Sequence, residues 1–157
     1  MRSTLCRITL GLWILTIGVA GWFFVQGWTA AGIDGRTQIM LAPAERDLIL
    51  GEMRLLLKAV HGVVTGLASQ DQEAGRTQME RAARSAGMHM AADVNPALMA
   101  KLPLPFKQMG MSIHHDMDAL ADAIVNKENS QQILQRLSNM TARCTACHDV
   151  YRFGVDK

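Results

Sequence analysis

The first strong pattern along the chain is an uncharged apolar run over residues 8–28, preceded by Arg2 and Arg7. About 20 apolar residues cross a bilayer as a helix, so the run predicts a membrane span whose N-terminal end the two arginines hold in the cytoplasm. Past residue 42 the apolar positions take up a helical period. Ile49, Met53, Leu56, Val60, Val63 and Leu67 recur at steps of four and three, the inward stripe of an amphipathic helix, and Pro43 suits its first turn. A second helix is expected after Asp71, with Met79, Ala83, Ala86 and Met90 on one side and an end before Asn95-Pro96. Pro103 and Pro105 mark residues 95–105 as a loop. A third helix then carries Phe106, Met109, Ile113, Met117, Leu120 and Ile124, and residues 127–129 make a polar break. The fourth begins near Ser130, with Ile133, Leu137, Met140, Cys144, Cys147 and Tyr151 on one stripe. The pattern predicts an all-α chain: an N-terminal segment over 1–31, a tether over 32–42, and an antiparallel, up-down-up-down four-helix bundle over 43–157.

The N-terminal run admits two readings. A cleaved signal peptide has an apolar core of about 7 to 15 residues before small residues, and Thr29-Ala30-Ala31 offers such a site. The run here is longer, and Trp13, Trp22, Phe23, Phe24 and Trp28 make it bulky, with Trp28 suited to the outer interface. These features favour a retained anchor with the rest of the chain exported. Cys6 lies before the apolar core, so it reads as a residue of the membrane helix and not as a lipid-attachment site.

Arg2 and Arg7 also account for the whole formal net charge of +2, which leaves the segment from Asp34 onward balanced. No Lys/Arg cluster resembles a nucleic-acid footprint. A chain of 157 residues has room for one domain with one core.

The chemistry is concentrated near the C-terminus, in Cys144-Thr145-Ala146-Cys147-His148. This Cys-x-x-Cys-His spacing attaches a c-type haem: two thiols three residues apart on a helix each add to a vinyl group, and the adjacent imidazole ligates the iron. A zinc site needs two further Cys or His ligands at short spacing, and a thioredoxin-type pair needs a βαβ pattern around it. The sequence supplies neither.

The motif and its continuation, Asp149-Val150-Tyr151-Arg152, resemble the Cys-x-x-Cys-His-x-x-Tyr-Lys/Arg ending of the cytochrome c′ family, including its low-spin, Met-ligated relatives. The resemblance covers residues 43–153, the first three helices matching in length, order and apolar pattern. In the commoner single-haem cytochromes c a Met ligand follows the motif, whereas the last Met here is Met140. The resemblance implies Cys144 and Cys147 as thioether anchors, His148 as proximal ligand, and Arg152 as a charge near the proximal face. It also implies a sixth position met from the first helix, by a Met in six-coordinate electron carriers or by an apolar residue where the iron stays open to nitric oxide or carbon monoxide. The family's Arg four residues before that position would be Arg46, pointing to Leu50. Met53 lies one turn further on, nearer the middle of its stripe, and is the expected ligand, with Leu50 the alternative.

No Ser/His/Asp set, paired acid/base carboxylates, phosphate loop or second metal cluster appears, so the expectation is not an enzyme. It is a membrane-anchored c-type cytochrome, with one covalent haem c and its iron facing the bacterial periplasm from the inner membrane. Its partners are membrane or periplasmic redox proteins, without nucleic acid, and the resemblance allows a homodimer. After signal cleavage the same domain would be soluble in the periplasm. The alternative function is gas binding in a pocket lined by Leu50, Met53, Leu56, Ala83 and Gly87. His61, His89, His114 and His115 read as exposed or core histidines, His61 alone leaving room for a peroxidase.

Overall fold

The computed structural model describes residues 2–91 and 95–155, which are mostly helical. An apolar helix, α1 (Arg2–Gln26), opens the chain. Its segment Thr4–Gln26 has a mean hydropathy of 2.0 and packs none of its length inside the protein. It is long and apolar enough to be a membrane anchor or a signal sequence. The chain leaves α1 through Gly27, whose φ of +65° favours glycine. A side chain there would also press on the backbone nitrogen of Pro103, 2.6 Å from the position of a Cβ. The Trp28 N–H then donates to the Lys101 carbonyl at 2.7 Å, and the Lys107 ammonium sits 4.0 Å over the Phe24 ring. The apolar helix is thus in direct contact with the domain that follows.

The expected all-α character is corrected by a three-stranded sheet. Strands β1 (Thr29–Ala31) and β2 (Thr37–Leu41) form an antiparallel hairpin, and β2 pairs in parallel with β3 (Tyr151–Val155) in the register Thr37↔Tyr151 to Leu41↔Val155. Residues 32–42 are therefore not a free tether. Ile39 and Leu41 alternate with partly exposed neighbours and are fully buried, the half-buried strand pattern. Five residues are too few for that alternation to stand out from a polar linker.

Helix α2 (Pro43–Leu67) follows its expected span. The Glu45 carboxylate accepts the Ala42 N–H at 2.8 Å and pairs with Lys101 at 2.7 Å, tying the helix start to the base of the domain. Asp71 caps α3 (Gln72–Arg84) by accepting two backbone N–H groups at 3.0 Å, worth about 1 kcal/mol. The expected single second helix breaks at residues 85–87 and resumes as α4 (Met88–Ala91). Ser and Gly are weak helix formers, and two side chains on the next long helix capture the freed backbone. The Ala86 carbonyl accepts from His114 at 2.8 Å, and the Met88 N–H donates to Asp118 at 2.8 Å.

The loop expected over 95–105 contains a short helix, α5 (Pro96–Lys101), started by Asn95. Helix α6 (Leu104–Val125) and helix α7 (Ser130–Val150) complete the fold, the latter opened by a reciprocal Asn129–Gln132 capping box. Among these elements α2 packs chiefly on α3, α3 on α6, and α6 on α7. Their shared core runs through Val63, Ala83, Met117, Ile124, Ile133 and Met140. A second cluster lies at the end of the domain nearest α1, where Ile39, Leu41, Ile49, Leu98, Leu102, Phe106 and Cys147 meet.

Helices α2 and α3 approach closely at Gly66 and Gly75. A Cβ on Gly66 would lie 2.6 Å from the Gly75 carbonyl oxygen and strike the Met79 side chain. Gly66→Val is expected to destabilise the domain by about 1–3 kcal/mol through overpacking and to lower the melting temperature by several degrees in a thermal scan. A scan superposable on the parent's would refute this close packing.

Candidate functional site

The last two turns of α7 carry Cys144, Cys147 and His148, the latter two lying three and four residues beyond Cys144 and so next to it on the helix surface. Cys147 is buried in the second cluster and Cys144 is half-buried against the first. Neither forms a disulfide. Burial pushes both thiols above their ordinary range, and for Cys147 the neighbouring Cys144 adds to the effect. Both therefore stay protonated near neutrality, unlike the depressed thiols of dithiol redox motifs.

Between the start of α2 and the end of α7 lies a cavity of about 220 Å³. Leu50 and Met53 line it from α2, and Cys147 and His148 from α7, with Phe106, Tyr151 and Phe153 completing the apolar wall. Phe106 makes edge contacts with both other rings, at centroid distances of 5.5 Å and 5.8 Å, a favoured aromatic geometry. Burial also pushes the Tyr151 hydroxyl upward, with Cys147 adding a smaller effect. The volume is below the about 300–1,000 Å³ of typical small-molecule pockets, and the partly exposed Leu50 and Met53 edge its mouth.

Three guanidinium groups complete the lining, those of Arg36, Arg46 and Arg152. Asp34 engages two of them. Its carboxylate accepts from Arg36 Nη2 at 2.7 Å and Nε at 3.0 Å, and from Arg152 Nη1 at 3.2 Å. The hydrogen bonds from Arg36 hold the Asp34 carboxyl down to about 2. Arg46 has Asp47 only at 3.9 Å. Asp34, Asp47 and Asp149 thus lie close to the three guanidinium groups and offset much of their charge. The arginines alone, however, supply charged donors to the lining, so the site suits an apolar ligand bearing acidic groups. A haem meets that description, with an apolar ring, two carboxylates, and an iron that takes imidazole or thioether ligands. The lining matches those needs in residue type, while the cavity in this structure is smaller than a typical small-molecule pocket and Cys144 lies outside it.

The cavity brings together Leu50, Met53, Cys147, His148 and Arg152; Cys144 faces the neighbouring core instead. Two expectations are corrected. Arg152 stands on β3 and not on a continued helical turn, because Tyr151 is extended and begins the strand. Leu56 and Ala83 pack with the core, while Gly87 abuts Asp118, so the expected gas pocket keeps only Leu50 and Met53. His114 is buried with Nδ1 on the Ala86 carbonyl, an acceptor that requires the proton on that nitrogen. His61, His89 and His115 are exposed. Among the described residues no three His, Cys, Asp or Glu side chains come together as a metal-ion cluster.

Arg36, Phe106 and Phe153 were not legible as site residues. Arg36 lies in a polar stretch with no local pattern, and it reaches the site only because β2 pairs with a strand more than a hundred residues later. No family model, curated protein or solved structure matches this chain.

Proposed function

We propose that this chain is a membrane-anchored c-type cytochrome whose haem domain is a four-helix bundle of the cytochrome c′ kind, and that it carries electrons. The observation that carries the reading is the cavity where Leu50 and Met53 face Cys147 and His148 under a rim of three arginines. Cys144 and Cys147 are the thioether anchors, with His148 and Met53 as the two iron ligands. When bound, haem c supplies a one-electron iron couple. The chain's own residues bind and orient. Arg36, Arg46 and Arg152 balance the carboxylates, and Phe106, Tyr151 and Phe153 keep the wall apolar.

Retention of α1 is supported by its continuity with the fold. Cleavage after Ala31 would remove β1 together with Trp28, whose carbonyl accepts from the Met40 N–H at 2.8 Å. Anchorage keeps the domain at the periplasmic face of the inner membrane and concentrates it near membrane or periplasmic redox partners.

A second reading is gas binding at an iron left open by Leu50, favoured by that residue's place in the same cavity. Absorption spectra of the purified protein, oxidised and reduced, with and without carbon monoxide, separate the two. The expected result is a low-spin spectrum with a methionine-to-iron charge-transfer band and no response to the gas. A high-spin spectrum that shifts with carbon monoxide would replace electron transfer by gas binding, and a chain purified from a host competent for haem attachment without covalent haem would sink both.

A further inference from the structure

The last carbonyls of a helix have no intrahelical partner and form its negative pole. At the end of α7 two of them are held. The Cys147 carbonyl accepts the Tyr151 N–H, and the His148 carbonyl accepts from Arg36 Nη1 at 3.1 Å. Arg36 is itself tightly placed. Asp34 grips its guanidinium from two nitrogens and accepts its backbone N–H at 3.2 Å, while the Gly32 N–H closes the hairpin on the Arg36 carbonyl at 2.8 Å. Directly after Arg36, Thr37 pairs with Tyr151, so the sheet register sets the guanidinium over the end of α7.

We propose that Arg36 is the positioning residue for His148, fixing the proximal imidazole through the backbone that bears it; the consequence at the iron rests on the haem reading above. Metal-ligating histidines usually have the second ring nitrogen held by a carboxylate, carbonyl or water. Among the described residues the His148 ring has no such protein partner. Its aim is therefore set by the last turn of α7, and that turn is pinned by a residue of the short hairpin that follows the membrane helix. The segment that reads as a tether thus becomes part of the proximal side of the site.

The test uses the full chain in detergent or nanodiscs, as Arg36→Gln, Arg36→Lys and Asp34→Asn, the last loosening the guanidinium without removing it. Hydrogen exchange over residues 145–150 and the ferrous iron–histidine stretch in resonance Raman are read for each, the latter on a form whose sixth position is open. Arg36→Gln is expected to raise exchange in that turn by roughly tenfold and to shift or broaden the iron–histidine band, which is read on the haem-bearing fraction. Arg36→Lys should recover part of both effects, and Asp34→Asn should show a weaker form of each. Unchanged exchange in the last turn overturns the proposal, as does an increase spread evenly over β2, β3 and the whole of α7, which would mark a general structural role. Where Arg36→Gln does not fold, Asp34→Asn decides by the same criteria. A parent chain without covalent haem would remove the haem reading alone, and exchange would still decide whether Arg36 holds the turn that carries His148.

Discussion

A chain carrying both Cys144→Ala and Cys147→Ala is expected to lose all colour from its denatured band: after denaturing electrophoresis, haem absorbance at the position of the polypeptide falls to background. A haem joined only through its iron is released when the fold is lost, whereas a thioether survives denaturation. The pair is the right target because the helix tolerates it. Ala is the best helix former, Cys144 is half-buried, and only Cys147 leaves a small void among Ile39, Phe106 and their neighbours. Helical content by circular dichroism should stay close to the parent's, with a stability loss on the order of 1 kcal/mol. Each single variant should keep one bond and a shifted spectrum. Full retention of covalent haem by the double variant would refute the motif assignment. A collapse of helicity would instead mean that the thiols serve the core, a contribution their modest packing does not support.

That motif was legible because its chemistry is contiguous: five adjacent residues fix the spacing of thiols and imidazole whatever the rest of the chain does. The helices were legible for a similar reason. Apolar steps of four and three between Ile49 and Leu67 are a local record of one buried face, and α2 runs from Pro43 to Leu67 as that record implies. What failed depends on distant partners. The turn at residues 85–87 exists because His114 and Asp118, some thirty residues on, capture the freed backbone. The sheet joins β2 to β3 across most of the chain, and no window over residues 37–41 holds that information. Arg36, Phe106 and Phe153 enter the site through that pairing and through the second cluster. Of the two candidate sixth ligands, Leu50 came from the family pattern through Arg46 and Met53 from its place on the helical stripe; both line the cavity from successive turns of α2, which leaves the choice open.

Met53→Ala is the variant that decides it. If the thioether fills the sixth position, the variant converts a low-spin, six-coordinate spectrum into a high-spin, five-coordinate one. The methionine-to-iron band disappears and carbon monoxide binds the reduced protein. The reduction potential falls as well, because thioether ligation raises it relative to forms without Met. Met53 is only partly buried, at the edge of the second cluster. Its truncation therefore costs toward the low end of the about 2–5 kcal/mol seen for fully buried Met→Ala changes, and the domain should remain folded. Leu50→Ala is the matched control: it also widens the cavity wall from α2, yet it carries no ligand atom and should leave the low-spin spectrum in place. The opposite pattern is equally informative. A parent protein that is already high-spin, untouched in spin state by Met53→Ala and more open to carbon monoxide after Leu50→Ala, would make Leu50 the gatekeeper of an open iron. The same cavity, with the same cysteines, histidine and arginines, would then serve a gas ligand in place of electron transfer.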